Sequence, residues 1–167
     1  ETFGIYSAYA QQHAGSFVAL VGSTDRLELA IVEDNAAKRL GLHVVYAAAP
    51  FDAQAVAEVL PFTDLLVLNA VEAEQLVEAV NKELTQLGVP SIVVTLGGDG
   101  SRWLDVSAGL ETHIPSIPVT PVDTTGAGDT FTGYLVAGLD RGMPMRQALS
   151  LATKAATIMV TRHGTAD

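Results

Sequence analysis

Leu65-Leu66-Val67-Leu68 and Ile92-Val93-Val94 contain no polar residue at all. A strand with one face in water alternates apolar and polar residues, because successive side chains point to opposite sides. A run without alternation needs cover on both faces, as in parallel strands sandwiched between helices. Leu65–Leu68 and Ile92–Thr95 are therefore predicted as buried strands, and Leu42–Ala47 as a third. Helical patterns separate them. A short helix is expected over Asn35–Leu40, ended by Gly41, and another over Asp52–Leu60 with Asp52 as N-cap. Val71–Leu87 is expected to be one helix, with Leu76, Val77, Val80, Leu84 and Leu87 in a single stripe and Gly88 as its stop. Strands alternating with helices give the α/β class, with helices layered on both sides of a sheet.

Further along, Ser101–Asp105 and Glu111–Ile114 read as a hairpin around Ser107-Ala108-Gly109. Ile114–Val122 reads as a β-rich run carrying three prolines. A helix is expected over Gly126–Asp140, with Phe131, Leu135 and Leu139 at spacing four. The last helix starts near Pro144, taken as a first-turn residue. Its buried stripe is Met145, Ala148, Leu149, Ala152, Ala156 and Met159. In residues 1–34, Phe17–Gly22 and Leu27–Val32 have strand composition, but nothing in the sequence links them to the rest.

The bulk numbers exclude some functions. A length of 167 residues fits one ordinary domain. The formal net charge of -10 argues against a nucleic-acid or anionic-membrane surface. It leaves polyphosphate binding open, since backbone dipoles and a divalent cation act locally. Cysteine is absent, which removes disulfides, thiolate metal sites and a cysteine nucleophile. No apolar run reaches spanning length. The start, Glu1-Thr2-Phe3-Gly4, has no basic leader segment, so a cytoplasmic location is the expectation.

Three polar motifs stand where strands end. In the first, Asp123-Thr124-Thr125-Gly126-Ala127-Gly128-Asp129-Thr130 opens a helix. Its glycines turn tightly and leave N–H groups uncovered, and the helix directs its positive end at the loop. That combination binds anions of the phosphate kind. Asp129 sits inside this electropositive mouth. A carboxylate beside a phosphate is repulsive unless it has chemical work, such as taking a proton from an attacking hydroxyl. The bland alternative is a glycine corner with a capping Asp. In the second, Asn69 and Glu72 stand three apart at a strand–helix junction. They fit a capping box as well as a pair ordering Mg²⁺ and phosphate. The third, Thr95-Leu96-Gly97-Gly98-Asp99-Gly100, is neither a Walker loop nor a dinucleotide fingerprint, because a hairpin follows it. It is a turn with the potential to contact a nucleotide through its backbone. His13, His43, His113 and His163 have no ligand-spaced partners and read as structural or solvated. Trp103 reads as packing, and Glu72, Glu74 and Glu78 as a solvated helix face.

In this order, Asn69-x-x-Glu72, Thr95-Leu96-Gly97-x-x-Gly100 and Asp123-Thr124-Thr125-Gly126-Ala127-Gly128-Asp129-Thr130-Phe131 resemble the ribokinase-like (PfkB) carbohydrate kinases. The ending Val160-Thr161-Arg162-His163-Gly164-Thr165 is similar to the end of that family's ribokinases. The resemblance runs from about Asn35 to Asp167. It implies a three-layer αβα, Rossmann-like fold and ATP-dependent phosphorylation of a sugar hydroxymethyl group, with ribose the first expectation. It implies that Gly126, Ala127 and Gly128 form an anion hole and that Asp129 is the base. Asn69 and Glu72 would order Mg²⁺ and phosphate, Glu72 through water. Thr95, Gly97 and Gly100 would line the nucleotide site, with Thr153 or Lys154 near the adenine. Asp123, Thr125 and Gly164 would offer oxygens to a monovalent cation such as K⁺.

The resemblance covers the C-terminal half of a usual family member. The sugar-gripping motif and the β lid of the N-terminal half are not found, so the expected fold is incomplete. Residues 1–34 are expected to hold at most a remnant of that half or of the lid, and 35–167 the nucleotide-binding part. The expected partners are a small sugar and ATP, without nucleic acid or membrane. Family members pair through their lids, which leaves a homodimer open. Fructose, 2-keto-3-deoxygluconate and adenosine remain alternative acceptors, and a non-catalytic nucleotide-binding fragment is the alternative outside enzymology.

Overall fold

A computed structural model of the chain describes residues 5–6, 17–21, 27–31, 43–49 and 51–164. The chain divides into two units, Glu1–Val44 and Val45–Asp167. In the first, β1 (Ile5–Tyr6), β2 (Phe17–Val21) and β3 (Leu27–Ile31) form a three-stranded sheet. β1 runs parallel to β2, and β2 antiparallel to β3. The two strands expected from composition are thus present, one residue shorter each. The helix expected over Asn35–Leu40 lies outside the described residues.

The second unit carries a five-stranded sheet. Its strands are β4 (Val45–Ala47), β5 (Leu65–Asn69), β6 (Ser91–Thr95), β7 (Ser101–Asp105) and β8 (Leu110–Ile114), in that spatial order. β4, β5 and β6 are parallel, and the β7–β8 hairpin adds antiparallel to β6. The first strand starts at Val45 rather than Leu42. Helices α1 (Ala53–Val59) and α2 (Ala70–Val80) connect the parallel strands, and α3 (Ala127–Asp140) and α4 (Met145–Val160) follow the hairpin.

The unbroken apolar runs have the cause inferred for them. Along β5, Leu66 and Leu68 enter one core while Leu65 and Val67 enter another. β6 divides likewise, with Ile92 and Val94 on one side and Val93 on the other. Val56, Ala73 and Leu76 of α1 and α2 complete the first core. Phe131, Leu135, Ala148, Leu149 and Ala152 of α3 and α4 complete the second. This is the three-layer αβα arrangement. Burying each such aliphatic side chain contributes roughly 1.5–3 kcal/mol. The two helices α3 and α4 approach closely at Gly138, where an added Cβ would lie 3.0 Å from that of Ala148.

Four local expectations are corrected. Helix α2 stops at Val80, not Leu87, because Asn81 adopts the left-handed conformation at φ 51°. Asn tolerates that region better than other side-chain-bearing residues. A separate 3₁₀ turn, Leu84–Gln86, follows, so Gly88 caps no α-helix. The stripe survives the break, since Leu76, Val77, Val80, Leu84 and Leu87 all pack on the first core. Pro144 is the N-cap of α4 rather than its first residue. Met159 does not join the buried face of α4. Residues 115–122 form an irregular connector instead of a strand. Pro115, Pro118 and Pro121 have no N–H to give a ladder.

Candidate active site

The sheet register places two of the motifs side by side. Asn69 at the end of β5 pairs with Thr95 at the end of β6. Both loops therefore leave the carboxyl edge of the parallel strands, where open α/β sheets bind ligands. Thr95 Oγ1 donates to the Leu68 carbonyl at 3.4 Å, fixing the side chain across the two strands.

The third motif reaches the same region through α3. Gly126 is its N-cap and stands at φ +79°, a conformation that favours glycine. The helical ladder begins with Thr130 N–H to Gly126 O at 2.9 Å, while Ala127 N–H bonds to Thr124 O at 3.2 Å. The N–H groups of Gly128 and Asp129 precede the ladder and form part of the helix's positive end. Asp129 is exposed in this first turn.

A cavity of about 500 Å³ joins these parts. That size falls within the usual range for small-molecule sites. Of the residues read from sequence, Thr95, Gly97, Gly100, Ala127, Gly128 and Thr153 line it. Asn69, Glu72, Asp123, Thr125, Gly126, Asp129 and Gly164 do not. Ser116, Ile117, Val119 and Pro121 of the connector, with Thr157 and Val160 of α4, were missed by motif reasoning. The three closely spaced prolines were the only signal that this connector skirts a site. Thr153 is 7% exposed, and its Oγ1 has no hydrogen-bond partner among the described residues. A buried hydroxyl in that condition calls for a ligand or a water.

Asn69 and Glu72 satisfy the bland reading in full. Glu72 N–H donates to Asn69 Oδ1 at 2.9 Å, and Asn69 N–H to Glu72 Oε2 at 2.7 Å. This capping box fixes the start of α2. It also leaves Glu72 Oε1 without a donor among the described residues. A single carboxylate of this kind fits Mg²⁺, which keeps several waters and takes phosphate oxygens rather than an all-protein cage. No cluster of three or more His, Asp or Glu suited to a metal occurs among the described residues.

The trio expected to serve a monovalent cation is brought together by hydrogen bonds. Thr125 N–H donates to Asp123 Oδ1 at 2.9 Å, and Gly164 N–H to Asp123 Oδ2 at 3.3 Å. Val160 O receives the N–H groups of Val122 (2.7 Å) and Asp123 (3.2 Å). Asp123 thus ties the loop before α3 to the turn after α4. The Thr125 N–H holds its carboxyl below the ordinary carboxylate value. The Thr125 hydroxyl, the Gly164 N–H and the charge of His163 add to this, against partial desolvation. A depressed folded value means a stability contribution that is complete above the unfolded value of 3.8 and is lost as pH falls through the folded one. In urea melts, Asp123→Asn is expected to lower stability at neutral pH and to narrow its gap to the wild type below about pH 4. A gap that stays constant with pH would dissolve the latch.

The pfkB family carbohydrate kinase pattern matches residues 5–167, reaching well into the N-terminal stretch that the motifs left unassigned. The ribokinase of Staphylococcus aureus strain COL is 31% identical over 118 residues, covering 64% of this chain and 38% of the relative. The crystal structure of Thermotoga maritima ribokinase superposes with a TM-score of 0.69 at 25% identity, over 89% of this chain and 64% of that one. Aminoimidazole riboside kinase of Salmonella enterica, solved with aminoimidazole riboside and an ATP analog, gives 0.67 at 27% identity, over 76% and 48%. The chain therefore spans well under half of that S. aureus relative and about two thirds of the Thermotoga structure. With its αβα layering, its strand-edge loops and a family pattern matched over nearly its whole length, the chain belongs to the pfkB family of carbohydrate kinases.

Proposed function

We propose that this chain is the nucleotide-binding part of an ATP-dependent sugar kinase, with ribose the favoured acceptor. The observation that carries the reading is one cavity lined both by the Thr95–Gly100 turn and by the N-terminus of α3. Residues 35–167 carry this part, and 1–34 belong to the sugar-binding half or its lid. ATP lies with its phosphates toward the backbone of Gly126, Ala127 and Gly128, where the Gly128 and Asp129 N–H groups are unspent. Its base lies toward Thr153. Mg²⁺, when bound, would neutralise phosphate charge, and Glu72, with Asn69 beside it, would hold it through water. Asp129 accepts the proton of the sugar hydroxyl as its oxygen attacks the γ-phosphorus and the bond to the β-phosphate oxygen breaks. Phosphoryl transfer depends on positioning and charge stabilisation more than on covalent help. Donors fixed in advance are the effective kind. Asp123, Thr125 and Gly164 would hold a monovalent cation such as K⁺, which would add charge neutralisation at the latch.

Calorimetric titration with ATP tests the core of this reading, and an acceptor panel tests the rest. Saturable binding of one ATP per chain is expected. In the longest form of the protein, turnover is expected to be highest with ribose among ribose, fructose, 2-keto-3-deoxygluconate and adenosine, and to rise with K⁺. Binding without turnover on any acceptor would favour a non-catalytic nucleotide-binding module. Absence of ATP binding would remove both.

A further inference from the structure

We infer that Ser116, with His113 behind it, is a positioning residue that fixes the Gly97–Asp99 turn with the Gly97 and Gly98 donors free and its carbonyls occupied. This inference rests on the nucleotide-site reading above. Every polar backbone group of the turn can be followed. Asp99 N–H donates to Leu96 O at 3.2 Å and Gly100 N–H to Gly97 O at 3.1 Å, while Gly100 O accepts from Leu96 N–H at 2.8 Å. Two carbonyls remain, those of Gly98 and Asp99. The Ser116 hydroxyl donates to the first and His113 Nε2 to the second, the latter at 2.9 Å. A carbonyl only accepts, so the proton of His113 is on Nε2. The N–H groups of Gly97 and Gly98 have no partner among the described residues.

The outcome is a turn sorted by polarity. A trans peptide points its C=O and N–H in opposite directions. Holding Leu96 O and Gly97 O inside the turn therefore directs the N–H groups of Gly97 and Gly98 outward. Both residues line the cavity, as does Ser116 itself. An anionic ligand meets two unspent donors there, while the carbonyls that would repel it are held by the hairpin and the connector. Without the Ser116 hydroxyl, the Gly98 carbonyl loses its hydrogen bond, and the Asp99 N–H to Leu96 O contact alone holds that peptide. Gly98 has no Cβ to restrict its backbone, so its peptide can rotate and present a carbonyl instead.

Two measurements on the same variants test this. Ser116→Ala is expected to weaken Mg-ATP binding about 5- to 10-fold, the worth of one hydrogen bond. Ser116→Thr, which keeps the hydroxyl, is expected to restore most of it. In nucleotide-free protein, Ser116→Ala is expected to speed amide exchange at Asp99 and Gly100 while leaving the β5 and β6 amides unchanged. Equal exchange and equal affinity in Ser116→Ala would overturn the inference and leave the nucleotide site standing. Faster exchange at the turn in a chain that binds no ATP would overturn the nucleotide reading and keep the clamp as a structural device. A global loss of protection would assign Ser116 to folding alone and also overturn the inference.

Discussion

Asp129→Asn is expected to lower sugar phosphorylation by roughly 10²- to 10⁴-fold, the usual contribution of a general base, and to leave ATP affinity within about twofold. The substitution keeps the shape of the side chain and removes its charge and basicity. Asp129 is the third residue of α3 and is exposed, so no core contact is lost. Its favourable interaction with the helix N-terminus is worth about 0.3–1 kcal/mol, so the fold should tolerate the change. Binding is insulated for a second reason. A carboxylate next to the phosphates opposes ATP, and its loss removes that repulsion. The decisive comparison is single-turnover phosphorylation against ATP affinity, in the longest form of the protein that phosphorylates sugar. Turnover within tenfold of the wild type would take Asp129 out of the mechanism. Parallel losses in turnover and in ATP affinity would make it a binding residue instead.

The same helix shows how far the sequence could be read. The αβα layers were legible because Leu65–Leu68 and Ile92–Val94 have no polar side, and each residue of these runs does enter one core or the other. Two of the polar motifs were legible because each begins where such a run ends, and the Asn69–Thr95 pairing makes them neighbours. What failed was local or lay between motifs. The apolar stripe from Leu76 to Leu87 was right about burial and wrong about helix, since a left-handed Asn81 and a new 3₁₀ turn deliver Leu84 to the same core. Periodicity reports which residues are buried, and two different backbones can satisfy one pattern. The connector wall of the cavity was invisible because Ile117 and Val119 carry no chemistry. The Asn69–Glu72 spacing was ambiguous and stays informative in both senses. The capping box accounts for the pair completely, yet one Glu72 carboxylate oxygen has no donor among the described residues.

Gly100→Ala is expected to be the most destabilising single-methyl change in the described part of the second unit. Gly100 stands at φ 97° and ψ -131°, a region L residues rarely enter, and strain there costs about 1–3 kcal/mol. Space is the larger difficulty. An added Cβ would overlap the carbonyl oxygen of Ile114 and would lie 2.7 Å from Ser116 N and 2.8 Å from Pro115 C. These are backbone atoms, so no side-chain rotation relieves the overlap. The backbone on either side cannot move freely either, because Ser101 pairs with Ile114 in the β7–β8 ladder. Together the two terms come to at least about 3 kcal/mol against a typical total of 5–15 kcal/mol. For a domain of this size that corresponds to a Tm lower by roughly 10 °C or more. Gly98→Ala is the internal control. Its Cβ meets nothing within 4 Å and its φ is not in the left-handed region, so its Tm should stay within about 2 °C of the wild type. Thermal melts of the two variants separate a turn held against β8 from one that is merely glycine-rich. Equal, small shifts would mean that the hairpin yields at Pro115, and the clamp at Ser116 would then have nothing rigid to pull against.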